Sequence, residues 1–191
     1  MKQTILLLIL FLVFVHFGCT RNVPDNNKNV YVHHDLQNAP NWVRAPNVEG
    51  GIAGIGSQKI GASGIDFARK NAIASARDSL ANTIQVKVNN IIKNFTRSTG
   101  IATDETVDRV STHVSKQCSS QLLSGSRHAD TWISPSGELY ALVVIRTDSA
   151  KNAIKQNTYS SFRNEKALWQ QFEANKAFND LDKEIDKEFG N

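Results

Sequence analysis

The sequence predicts an α+β fold: a small antiparallel sheet with two helices packed on one face, followed by a long C-terminal helix. Three observations carry that prediction. Apolar residues alternate with a period of two in some segments and recur every three or four residues in others, in the order strand, helix, strand, helix, strand, strand, helix. Pro135-Ser136-Gly137 joins two alternating arms, which is the pattern of a β-hairpin. A Gly-rich strand is followed by an Ala-spaced helix, so the two have little side-chain bulk to hold them apart. The 191 residues suffice for one ordinary domain and its appendages.

The elements follow in chain order. Met1 and Lys2 precede an unbroken apolar run from Ile5 to Val15, and Gly18-Cys19 closes it. The run is too short for a permanent bilayer span and reads as a secretory signal. A small residue directly before a cysteine resembles the lipobox of bacterial lipoproteins, where the signal is cut ahead of the cysteine and its thiol is acylated. His16 stands where that pattern usually carries Leu. Residues 1–18 are read as the signal peptide, cleaved between Gly18 and Cys19, with Cys19 the lipidated first residue of the mature chain. The alternatives are an uncleaved signal anchor, or ordinary cleavage that leaves a free thiol. Thr20 is not acidic, and in the lipoproteins it resembles this implies transfer to the outer membrane. Several acyl chains, at about 0.8 kcal/mol per buried CH₂, hold far better than one.

Residues 19–40 form the lipidated cysteine and a tether rich in Asn, with Pro24 and Pro40 and a brief apolar patch at Val30-Tyr31-Val32. The α+β domain is placed at 41–155. "GIAGIGS", Gly51 to Ser57, is a strand suited to close backbone approach. Ser63 with Asp66 has capping-box spacing, and Ile65, Ala68, Ala72, Ala76 and Leu80 share one helical face. From Asn82 to Phe95 the alternation of Ile84, Val86 and Val88 predicts a half-buried strand, against a competing helical period through Leu80, Ile84, Val88, Ile91 and Phe95. Thr103 and Glu105 open a second helix whose apolar face is Val107, Val110, Val114, Cys118 and Leu122. In the second hairpin arm Leu139, Ala141, Val143 and Ile145 face one way, Tyr140, Leu142 and Val144 the other. Ser149 is the expected cap of a third helix running to the C-terminus.

Composition and spacing exclude several chemistries. A net charge of +4 without a dense Lys/Arg block gives no nucleic-acid footprint. Two cysteines make no disulfide scaffold. Gly54 and Gly56 lack the third glycine of a dinucleotide fingerprint, since Lys59 stands there, and Gly61 is followed by Ala62 where a P-loop needs Lys. His33-His34-Asp35 lies in extended chain whose neighbouring side chains diverge, so no metal site is expected. Cys118 reads as a buried thiol, because it shares a helical face with Val110 and Val114; a Cys-His nucleophile would need His113 or His128 to converge on it with an orienting acid, and His113 is off its face. No catalytic residue and no cofactor is assigned.

Residues 156–191 form the C-terminal amphipathic helix. Leu168, Phe172, Phe178, Leu181 and Ile185 keep a helical stripe opposite a charged face. Two readings stay open: a helix that closes over its own domain, or one that binds a partner with this stripe.

"APNWV" at Ala39 to Val43, "GIAGIGS", "ARKNAIASARDSLANTIQVKV" and "YALVVIRTD" together resemble the LPP20 family of bacterial lipoproteins, over about Pro40 to Lys155. The resemblance implies a non-enzymatic, outer-membrane-anchored domain with helices on an antiparallel sheet, and relatives in flagellar outer-membrane assembly. It offers no catalytic residues. The expected function is therefore a structural or interaction module of a Gram-negative envelope, held to the membrane through Cys19, with protein partners or self-association and no nucleic acid. The alternative is a periplasmic binding module for a small ligand or envelope polymer.

Overall fold

The computed structural model describes residues 34–100, 103–174 and 176–190. Gly18 and Cys19, like the rest of residues 1–33, lie outside them. Among the described residues the chain forms four strands and six α-helices. A single 3₁₀ turn at His34–Leu36 leads into α1 (Asn41–Arg44), β1 (Asn47–Val48) and β2 (Gly51–Lys59). Helices α2 (Gly64–Thr99) and α3 (Asp104–Ser124) follow, then the hairpin β3 (Arg127–Ile133) and β4 (Glu138–Arg146). The chain ends in α4 (Thr147–Asn164), α5 (Lys166–Ala174) and α6 (Phe178–Glu188).

The sheet has the order β1-β2-β4-β3 with every neighbouring pair antiparallel, as the α+β reading expects. The hairpin lets β3 and β4 pair locally, while β2 reaches β4 across two helices. Gly54 sits opposite Val143 and Gly56 opposite Ala141, so the two glycines share a face with Ile52, Ala141, Val143 and Ile145. That face carries α2. A methyl group on Gly56 would meet the backbone of Ala72 and Ala76, and one on Gly54 would come within 2.7 Å of the amide nitrogen of Leu80. Glycine is required at both positions because the helix backbone occupies the space of a side chain. The edge strand β3 is broken by a register shift between His128 and Asp130 and carries exposed Arg127, His128 and Asp130, which blunts it against further pairing.

Residues 82–95 are helix, not strand. They continue α2 without a break, and Ile84, Val88, Ile91, Ile92 and Phe95 are buried while Val86 is 58% exposed. The β-branched propensity of the segment loses to burial: the helical period brings every large side chain to the core, whereas the period of two would bury Val86. The second half of α2 packs against α3, α4 and α6. The Ser63 side chain makes no capping hydrogen bond, and Asp66 instead pairs with Arg69 at 2.8 Å. Helix α4 begins at Thr147, two residues ahead of the expected cap at Ser149.

The C-terminal segment is three helices folded back on the domain, where the sequence suggests one long helix. Glu165 is extended between α4 and α5, and Lys176 is in the left-handed region (φ +48°) just before α6. A continuous helix over these residues would be about 60 Å long, far beyond the domain's own core. Folded back, it closes an aromatic cluster in which the Phe172 ring lies 5.5 Å from Phe162, 5.9 Å from Phe95 and 4.5 Å from Phe178.

Candidate functional site

The stripe for which two readings stood open, closure over its own domain or contact with a partner, faces the chain's own core. Leu168, Phe172, Leu181 and Ile185 are buried in the same cluster as Phe95, Ile154 and Phe162. Phe178 is 37% exposed and packs edge-on against Tyr159 and Phe172. Of the two readings of this helix, closure over its own domain is the one the packing displays, because these side chains reach the core only when α5 and α6 turn back. The charged face of α6 reinforces the closure. Lys155 Nζ donates to Asp182 at 2.5 Å, Lys151 Nζ to Asp186 at 3.0 Å, and Lys87 Nζ to the Glu188 carbonyl at 2.9 Å. The Asp182 hydrogen bond holds the Lys155 ammonium above its ordinary pKa.

Cys118 is fully buried on α3, and burial pushes its thiol up to about 11. Asn157 Nδ2 lies 3.5 Å from its sulfur and donates at 3.1 Å to Gln121 on the same helix. A thiol in this state is protonated near neutrality and is a poor nucleophile. His113 is exposed on α3, while the His128 Nε2 is 2.7 Å from the Thr131 hydroxyl on its own strand. The two histidines lie on different elements and neither hydrogen-bonds to Cys118. Among the described residues, no three His, Cys, Asp or Glu side chains gather at one point.

Asp35, read from sequence as part of a mobile tether, has a fixed place. Its carboxylate accepts hydrogen bonds from the Ser136 hydroxyl, from the Ser136 amide at 2.9 Å and from the Ser134 hydroxyl at 3.1 Å. These bonds, the Ser136 hydroxyl foremost, hold its pKa below the ordinary 3.8. Trp42 joins the same side of the molecule. It packs with Val48 and Ile55 over Ala53, Leu142 and Val144 on the sheet face away from α2, and its Nε1 donates to Asp130 at 2.8 Å. No periodicity signals either contact, because both come from short irregular segments that meet residues about ninety to a hundred positions away.

The surface depressions are shallow. One, about 680 Å³, runs along the outer side of α2 past Ser75, Ser79, Asn82 and Val86. A second, about 240 Å³, lies between α3 and α4 beside Val110 and the Arg109–Glu165 ion pair at 3.1 Å. Neither has the enclosed apolar walls with converging polar groups typical of a small-molecule site. Among the described residues no helix is long and apolar enough to cross a membrane.

No curated protein matches the chain. A family model described as LPP20 lipoprotein matches residues 40–146, the span from Pro40 beside α1 to the last residue of β4. That span holds the whole sheet, the two glycines and the helix they admit. It covers more than half of the 191 residues, and the chain therefore belongs to the LPP20 lipoprotein family, which associates it with the cell envelope.

Proposed function

We propose that this protein is a non-enzymatic structural and interaction module, anchored in the outer membrane of a Gram-negative bacterium by acyl chains on Cys19. The observation that carries the reading is the junction Gly18-Cys19 at the end of a short apolar run, in a chain that belongs to a lipoprotein family. A polar segment links that cysteine to the folded domain, so the acyl chains and the folded module belong to separate parts of the chain. The protonated, buried thiol of Cys118 supports the non-enzymatic part, since a thiol in that state is a poor nucleophile. Thr20 supports the outer membrane as destination. A ring or disc around a flagellar base is the sharper form of this role, suggested by the family resemblance and tested by the swimming of a deletion strain.

The anchor is tested with Cys19→Ala. The precursor should accumulate uncleaved and take up no radiolabelled fatty acid, whereas the wild-type chain should be cleaved and labelled. Normal processing and membrane retention of the variant would end this reading.

A further inference from the structure

The domain has one end at which its chain enters, and exposed apolar side chains stand there among charged ones. Asp35 is tied to the β3–β4 turn through Ser134 and Ser136. Lys59 Nζ donates to the Ser136 carbonyl at 2.5 Å and the Ile60 amide to Gly137 at 2.9 Å, so the close of β2 lies at the same end. Helix α2 begins only a few residues later, at Gly64. Three of the five large hydrophobic side chains that stand exposed among the described residues cluster in these elements: Ile65 at 41%, Phe67 at 54% and Ile133 at 42%. Ile65 and Phe67 both belong to the first turn of α2, which places them at this end of the helix.

We propose that this end of the domain rests against the lipid bilayer, with Ile65, Phe67 and Ile133 seated at the level of the headgroups. The inference rests on the reading of Cys19 as a lipid anchor. Thr20 to His33 can reach no farther than about 50 Å when fully extended, and the segment joins the domain beside Asp35. Of all the surfaces of the domain, the anchor therefore holds this one at the highest effective concentration near the membrane. A patch of exposed apolar residues there has a waiting apolar partner, which a patch elsewhere would lack. The contact is apolar and not electrostatic. Lys59, Arg69 and Lys70 at this end are offset by Asp35, Asp66 and Glu138, which leaves Arg44, held against the Leu36 and Gln37 carbonyls, as a single net charge for anionic lipid to pull on.

The full acylated chain, reconstituted in phosphatidylcholine vesicles with and without phosphatidylglycerol, tests the arrangement. Spin labels are placed singly through Phe67→Cys, Ile133→Cys and, as a reference on the flank of α2, Val86→Cys. Cys118 does not compete for label, being buried with its thiol pushed up to about 11. Labels at 67 and 133 should gain oxygen accessibility and lose accessibility to a water-soluble nickel chelate, while the label at 86 stays aqueous. Phosphatidylglycerol and added salt should change neither result. In an Ile65→Ser, Phe67→Ser chain, whose fold is checked by circular dichroism, the label at 133 should return toward the aqueous value. Chains that float with the vesicles yet carry equally aqueous labels at all three positions would overturn this inference alone. Chains that fail to float would remove the anchor and this inference together.

Discussion

Between Gly64 and Leu80, α2 lies on the sheet through Ala68, Ala72 and Ala76, and the strand beneath answers with Gly54 and Gly56. Between Ala81 and Thr99 the same helix buries Ile84, Val88, Ile91, Ile92 and Phe95 among α3, α4 and α6. The first half is an interface of backbones, with almost no side chain to remove. The second is an interface of large side chains, with almost no backbone in contact. One helix thus meets two opposite packing rules, and the difference shows in what each half tolerates. The first half resists added atoms, whereas the second resists their loss.

The largest effect that breaks this contrast should come from Phe95→Ala. Its ring lies 5.8 Å from Phe162 and 5.9 Å from Phe172, so truncation opens a cavity that three helices line. Urea unfolding should show a loss of about 4 kcal/mol. A loss below about 1 kcal/mol would mean that the helical half is not a packed core. Next comes Gly56→Ala, the smallest addition available on the sheet side. The new methyl must displace the α2 backbone, and the expected loss is about 3 kcal/mol. Gly61→Ala provides the reference, because a methyl there meets nothing within 4 Å, and it should stay within about 0.5 kcal/mol of wild type.

The smallest effect sharpens the comparison by isolating the sheet end. Asp35 has its folded-state pKa lowered below 3.8 by the Ser136 and Ser134 hydrogen bonds. A carboxylate with a depressed folded pKa stabilises the fold above its unfolded value, and the contribution disappears as the pH falls through the folded value. Stability of wild type and Asp35→Asn, measured by urea unfolding across a pH series, should therefore differ most above pH 3.8 and converge below it. A gap that persists unchanged into strong acid would show that the carboxylate is not what secures the turn.

Much of the architecture was legible in the residues. The alternation of Leu139, Ala141, Val143 and Ile145 against Tyr140, Leu142 and Val144 placed β4 and both its faces correctly, because a strand with one face under a helix has its period enforced by burial. The Gly and Ala spacings announced the close approach of β2 and α2. The reading erred at residues 82–95, where local β-branched preference pointed one way and long-range burial the other. It erred again after Ser149, where a helical stripe says that a face is apolar but not whether the helix bends back to bury it. For the candidate site, the lipobox-like junction at Gly18-Cys19 is a reading of local sequence alone, and it lies outside the described residues. The shared end of the domain that holds Ile65, Phe67 and Ile133 was not legible in the sequence, because the start of α2 and the hairpin turn meet there only once the turn closes on the end of β2.

Sequence alone determined the local elements of the hairpin, the Gly-Ala contact and the burial of Cys118 on an apolar helical face. Each depends on residues close in the chain or on a fixed period. Tertiary structure decided the fate of α2 beyond Leu80, the three-helix fold-back that encloses Phe172, and the pinning of Asp35 to a turn about a hundred residues away. Those outcomes depend on which apolar surfaces find one another across long loops, and no nearby residue records that choice.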